Sequence, residues 1–320
     1  MRICSLLPSA TEVLFALGLG DSVAGVTHEC DFPPEAAAKP ALIGPRVDPN
    51  AKSGDLDRSV RELMARGESL YAVRDDLLRE IQPDLIITQD LCHVCAASPD
   101  DLASALAKMP KQPRILTLQP HTLADVWNDI RRIGEATGKS READEFAKRQ
   151  ENKVASIRAA VSATASRPRV ACIEWLDPLY VGGHWVPEMV DAAGGVDVHG
   201  RAGHPSFRVT SDQVVAAEPD VMVIMPCGFS VKHIEDELQR TPLPPEWKQL
   251  QAVRNNRVHM VDANSYFSRS GPRLADGVAI LANLLHPVGA EVDLPPGLAL
   301  GVRYPINAHD SFAGSNTGKK

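Results

Sequence analysis

The residue types able to do chemistry gather in a few short segments of this chain. They read Thr27-His28-Glu29-Cys30-Asp31, Gln89-Asp90-Leu91-Cys92-His93-Val94-Cys95, Glu174-Trp175-Leu176-Asp177, Gly183-His184-Trp185, Met225-Pro226-Cys227-Gly228-Phe229 and Asn264-Ser265-Tyr266-Phe267-Ser268-Arg269. Thiolates and imidazoles are ligands for zinc, iron and other soft or borderline metals. Cys30, Cys92, Cys95 and Cys227 could therefore form a four-cysteine zinc or iron–sulfur site, with His28, His93 or His184 as substitutes. Cys92 and Cys95 have the C-x-x-C spacing, whereas Cys30 and Cys227 stand alone, unlike a zinc ribbon. Two other readings stay open: thiols that serve as small buried hydrophobes, and thiols in redox or nucleophilic work. Cys4 and Cys172 fall inside apolar runs and belong to the core.

The neighbouring polar residues carry similar alternatives. His28 and His184 are ligand-facing imidazoles or satisfied structural groups. Glu29, Asp31, Glu174 and Asp177 could orient an imidazole or accept amide protons from a ligand, and Asp177-Pro178 also has the form of a helix N-cap. Pro8-Ser9-Ala10 could present backbone N–H groups to an anion. Arg269 and Arg273 could pair with a phosphate or carboxylate, or form surface ion pairs. Common catalytic signatures are missing: no G-x-S-x-G, no G-x-x-x-x-G-K, no G-x-G-x-x-G after the first strand and no H-E-x-x-H. A Cys–His–Asp hydrolase is the catalytic option left, because such partners meet only in space.

All of these segments except Gly183-His184-Trp185 directly follow a short apolar run. The expected strands are Arg2–Leu7, Val23–His28, Leu85–Asp90 and Arg114–Gln119, then Arg169–Trp175, Val221–Pro226 and Val258–Asp262. Helical patterns separate them. Ser9 with Glu12 reads as a capping box for a helix to Leu17, and Val186–Ala193, Ser211–Ala217, Val231–Arg240 and Arg273–Leu285 follow in the second half. Thr122–Ala136 is one helix, Gly138 a break, and Ser140–Ala165 a long polar helix with a stripe at Phe146, Gln150, Val154, Ile157 and Val161. At 26 residues it would be a rod of roughly 39 Å, the length for a crossing between two lobes. The expected fold is therefore α/β: two Rossmann-like lobes with central, mostly parallel sheets, joined by one long α-helix. The lobes are residues 1–138, with an insertion at about 33–69, and 167–288; residues 139–166 connect them. Residues 289–320 form an extension whose end is expected to be disordered. Ligands of open α/β sheets bind at the carboxyl ends of the strands, so the unusual segments should face one crevice.

Composition narrows the classes. The 320 residues are 44% hydrophobic and 23% charged, with a formal net charge of −7, as in a soluble protein of about two domains. No basic stripe suggests nucleic acid, and no apolar run reaches the roughly 18 residues of a membrane span. Met1 leads straight into the first strand with no export signal ahead. The expected location is the cytoplasm, or the periplasm if a leader has been removed. Six cysteines agree with a reducing compartment, since a chain of this size needs no disulfides for stability.

Several motifs resemble the helical-backbone class of ABC-transporter substrate-binding proteins, also called class III. Ser5-Leu6-Leu7-Pro8-Ser9-Ala10-Thr11-Glu12 resembles that family's opening strand–loop–helix. Gln82-Pro83-Asp84-Leu85-Ile86-Ile87 and Glu218-Pro219-Asp220-Val221-Met222-Val223 resemble its paired strand entries, and Arg269-Ser270-Gly271-Pro272-Arg273-Leu274 the opening of its last helix. The likeness covers roughly residues 1–287. It is closest to a signal-less branch described as cobalamin-binding, which carries His-Glu-Cys-Asp, Cys-x-x-Cys, Glu-Trp-Leu-Asp-Pro, Gly-His-Trp-Val-Pro and Met-Pro-Cys-Gly-Phe. The resemblance implies a cobalamin, other corrinoid or related metal chelate as ligand and an ABC transporter as partner. Trp175, Trp185, Tyr266 and Phe267 would then wall the ligand, with a Cys or His reaching its metal. Pro8, Ser9, His28, Glu29, Asp31, Gln89, Glu174, His184, Phe229 and Arg269 complete the candidate ligand-binding set, and Cys30, Cys92, Cys95 and Cys227 the metal set. The reading is a binding protein rather than an enzyme. Its rival is a cytosolic metal- or thiol-dependent enzyme, corrinoid-processing among them, that uses the four cysteines.

Overall fold

The computed structural model describes residues 1–48, 51–90, 99–107, 109–162, 166–287 and 302–303. In the first lobe the order is β1 (Ile3–Ser5), α1 (Pro8–Ala16), β2 (Val23–Thr27), β3 (Ala41–Pro45), α2 (Ser53–Ala65), β4 (Tyr71–Val73), α3 (Asp75–Ile81), β5 (Leu85–Gln89), α4 (Pro99–Leu106), β6 (Arg114–Leu118) and α5 (Leu123–Thr137). The strands form a sheet in the order β4-β3-β2-β1-β5-β6, parallel except at β3–β4. Every residue of β5 is buried, which is why its apolar run carries no alternation: helices cover both faces of a parallel strand. After α6 (Ser140–Val161) the second lobe runs β7 (Arg169–Leu176), β8 (Leu179–Val181), α7 (Val186–Ala192), β9 (Val196–Asp197), β10 (Phe207–Arg208), α8 (Ser211–Ala216), β11 (Val221–Ile224), α9 (Val231–Arg240), α10 (Gln251–Arg254), β12 (Val258–Val261), α11 (Ala263–Tyr266), α12 (Leu274–Leu285) and β13 (Val302–Arg303). Its sheet order is β10-β8-β7-β11-β12-β13, with β9 beside β7. The pairs among β7, β9, β11 and β12 are parallel; β7–β8, β8–β10 and β12–β13 are antiparallel.

The connector α6 has 22 residues, about 33 Å at the helical rise, and so falls short of the expected 26. It is no free arm, because it lies against α5, α7 and α12. Its buried face is Ala143, Ala147, Ile157 and Val161, with Phe146 and Val154 partly buried beside it. The small residues let α5 and α6 approach closely: a Cβ on Gly134 would sit 2.2 Å from that of Ala143. Arg131 of α5 donates to Asp144 (3.0 Å) and Glu151 (2.9 Å) of α6, and Lys153 pairs with Asp276 of α12. One apolar cluster runs through α1, α5, α6, α7 and α12, from Ile3 and Leu14 to Ile157, Val190 and Leu281. The lobes therefore share a core behind the crevice.

Three local expectations are corrected. Residues 33–69, expected as an insertion over the first lobe, supply β3 to its sheet, paired with β2, together with α2. The capping box at Ser9 and Glu12 does not form: α1 starts at Pro8, its N-cap Leu7 uses no side chain, and Glu12 is engaged elsewhere. Proline suits the first helical position because its missing N–H would have no partner there. Asp177-Pro178 is the tight turn between β7 and β8 rather than a helix start. The C-terminal extension, apart from 302–303, lies outside the described residues.

Candidate functional site

Among the described residues, three polar contacts between the two lobes stand out. The first joins α1 and the loop after β2 to the segment between α11 and α12. Glu12 is 2% exposed and Arg273 14%. Arg273 Nε donates to Glu12 Oε2 (2.9 Å) and Nη2 to Oε1 (2.6 Å), a two-pronged pair across the lobes. Arg269, 8% exposed, donates from Nη1 to Asp31 Oδ1 (2.5 Å) and Glu12 Oε1 (3.4 Å), and from Nη2 to the Glu29 carbonyl (2.9 Å). Burial alone would raise the Asp31 carboxyl; the Arg269 hydrogen bond and charge outweigh it and hold it below its ordinary value. For Glu29 burial wins over His28 and Arg269, and its carboxyl is pushed up. The Arg273 guanidinium also lies 4.3 Å from the Phe32 ring centre and 5.6 Å from that of Tyr266, in cation–π range. Ser9 Oγ is 3.4 Å from Ser270 Oγ.

The second contact joins the loop between β6 and α5 to the segment after β8. Thr122 caps α5 in a true capping box with Asp125, and the Leu123 N–H donates across the lobes to Glu188 Oε2 (2.7 Å). Beside it the His121 and His184 ring centres are 6.0 Å apart. The third contact brings the start of α2 to α9. Ser53 N (2.9 Å) and Oγ (2.5 Å) both donate to Glu237 Oε1, as does Thr241 Oγ1 (2.9 Å). Both Ser53 and Glu237 are buried. Gly54 presses so close to the β7–β8 turn that a Cβ there would meet Asp177 Oδ2 at 2.5 Å.

Between these contacts the strand ends of the second lobe carry an aromatic group. Trp175 and Phe229 meet edge-on at 5.4 Å, and Phe229 meets His233 at 5.7 Å. Trp175 Nε1 donates to the Asp177 carbonyl (3.1 Å), which fixes the indole. The Cys227 N–H donates to the Glu174 carbonyl (3.1 Å), and Ser206 Oγ donates to the Glu174 carboxylate.

The other expected site residues separate into groups. Trp185 and Phe267, expected as walls, are core residues: both are buried, and Trp185 Nε1 donates to the Phe267 carbonyl (2.7 Å). Pro8 and Ser9 are buried at the start of α1, and Gln89 is buried at the end of β5. His28 Nδ1 donates to the Ile43 carbonyl (3.1 Å), tying β2 to β3. Tyr266 is partly buried against the core and faces Arg273. Cys30 is 3% exposed, its Sγ 3.1 Å from Thr11 Oγ1 and 3.6 Å from Thr27 Oγ1. Burial pushes this thiol up despite those hydrogen bonds, so it is a neutral, hydrophobe-like cysteine. Cys92, His93 and Cys95 lie outside the described residues. Among the described residues no three His, Cys, Asp or Glu side chains gather as metal ligands. The sequence reading passed over His121, Ser53, Glu188 and Glu237, and misread Glu12. Each acts on a partner far along the chain, and no local pattern announces that.

Two mostly parallel sheets joined by a helical crossing define a two-lobed α/β protein. Residues 3–264 match the family model described as periplasmic binding protein, and the chain belongs to that family. It is 26% identical over 298 residues to YvrC of Bacillus subtilis, named an uncharacterized ABC transporter substrate-binding lipoprotein, covering 89% of this chain and 80% of that one. It is 23% identical over 280 residues to the Vitamin B12-binding protein of Vibrio parahaemolyticus, covering 87% and 86%. The periplasmic heme-binding protein RhuT from Roseiflexus shares the fold, with a TM-score of 0.67, 24% identity and coverage of 89% and 98%. These relatives correct the expected cytoplasmic location and point outside the cytoplasm. The strand at the amino end marks where the fold begins and is silent on compartment. They also lend no support to zinc or an iron–sulfur cluster. No helix among the described residues is long and apolar enough to cross a membrane.

Proposed function

We propose that this protein binds cobalamin or a related corrinoid between the lobes 1–138 and 167–288, with 139–166 as connector, and delivers it to an ABC transporter. The observation that carries this reading is the partly exposed Trp175–Phe229 pair at the ends of β7 and β11. A flat macrocycle is bound largely by aromatic burial, and this pair stands where ligands of such sheets lie. Curated relatives that span most of the chain and are named Vitamin B12-binding proteins support the ligand class. Glu174 stands beside the aromatic pair as a polar group.

The test is a visible-absorption titration with hydroxocobalamin, with hemin as competitor, on the wild type and a Trp175→Ala, Phe229→Ala double variant. Saturable binding of hydroxocobalamin at one per chain, weakened at least tenfold in the variant, is expected. Hemin binding with no corrinoid binding would replace the ligand, and binding of neither would overturn the reading.

A further inference from the structure

We infer that His121 and His184 form a lobe-bridging site for a free, borderline divalent transition-metal cation. His121 follows β6 in the first lobe, and His184 follows β8 in the second. Two ring nitrogens each about 2.1 Å from one ion place the ring centres roughly 5–6.5 Å apart, from a tetrahedral to a linear arrangement. The observed 6.0 Å falls inside that interval, with the rings tilted by 38°.

Two further features of His184 agree with such a site. Its backbone is left-handed, φ 51°, an uncommon conformation outside glycine and one that recurs at ligand sites. The loop holds it there from both sides: His184 N–H donates to the His204 carbonyl (2.6 Å), and Gly203 N–H donates to the His184 carbonyl (2.9 Å). Its Nδ1 is buried and has no hydrogen-bond partner among the described residues, whereas buried ring nitrogens are normally satisfied. On the opposite side Asp125 fixes the loop by accepting from the His121 N–H (3.0 Å) and the Thr122 N–H (2.9 Å).

Since no third protein ligand joins them among the described residues, the remaining coordination positions belong to water, as at an exchangeable rather than a closed structural site. Two variants test it: His121→Ala, at an exposed position, and His184→Asn, since asparagine tolerates the left-handed backbone. Circular dichroism verifies that each folds.

Copper(II) chloride, followed by electron paramagnetic resonance and calorimetry, is expected to bind at one per chain with nitrogen hyperfine structure. Affinity should fall tenfold or more in either variant. Hydroxocobalamin is titrated on the same three proteins by visible absorption, so that the corrinoid reading is reported separately. Copper(II) affinity unchanged in both variants overturns the inference, and if hydroxocobalamin still binds, the corrinoid reading stands. Imidazole-bound copper(II) with no corrinoid binding leaves the site and overturns that reading instead.

Discussion

Replacing Glu12 by Gln tests whether the Glu12–Arg273–Arg269 group clamps the lobes. The amide has the shape of the carboxylate but not its charge. Arg273 loses the charge that two of its nitrogens address at 2.9 and 2.6 Å, keeping the Phe32 and Tyr266 rings, while Arg269 retains Asp31. Removing one partner of a buried pair costs about 3–5 kcal/mol, because the other charge is left without compensation. The amide oxygen still accepts one hydrogen bond, so the lower end applies, about 3 kcal/mol. At a slope of roughly 2 °C per kcal/mol for a chain of this size the Tm falls by about 6 °C. Urea unfolding followed by circular dichroism gives the free energy, and a cycle with Arg273→Met isolates the pair. A loss under about 1 kcal/mol, the range of exposed ion pairs, or strictly additive single changes, would refute the clamp.

Two further outcomes can be checked on the same protein. Burial pushes the Asp129 carboxyl from 3.8 up to about 6, against the pull of Arg132. The folded state then holds this proton more tightly than the unfolded chain, so stability falls as pH rises through that window. Asp129→Asn keeps the acceptor for Arg132 and should stabilise the protein at pH 7 by up to roughly 3 kcal/mol, with no gain at pH 3. Urea midpoints at both values decide it. Ser53→Ala removes one donor from the buried Glu237 carboxylate and should cost about 1.5–3 kcal/mol. It should also speed amide exchange at the start of α2; exchange at the wild-type rate would show that this contact does not hold the lobes.

The parts of the fold legible in the sequence are those whose pattern is self-contained. The buried runs of β5 and β11 and the breaks at Gly138 and Pro83 follow from local chemistry, and so did both lobes and the crossing helix. The strands that escaped, β3, β4, β8, β9, β10 and β13, have two to five residues each, too few for a periodicity. The four-cysteine reading shows the opposite failure. Cys30 looked like a ligand because cysteine is rare, yet its thiol packs against Thr11 and Thr27 as a hydrophobe would. Glu12 likewise satisfied a local rule at the start of α1, and an arginine 261 positions away claimed it. Trp175 and Phe229 were readable as a pair only once β7 and β11 were known to be neighbours.

The close seat of Gly134 on Ala143 has a mechanical consequence. A chain that crosses between lobes by a loop can open by rotating two or three torsions, whereas here the crossing is a helix bolted to α5 on one side and to α12 on the other. Widening the crevice must bend that rod or slide it in its seat, and both are stiff deformations. Exchange of a guest is then governed by how fast the rim contacts let go, and the spring constant of the frame belongs to one glycine and one alanine.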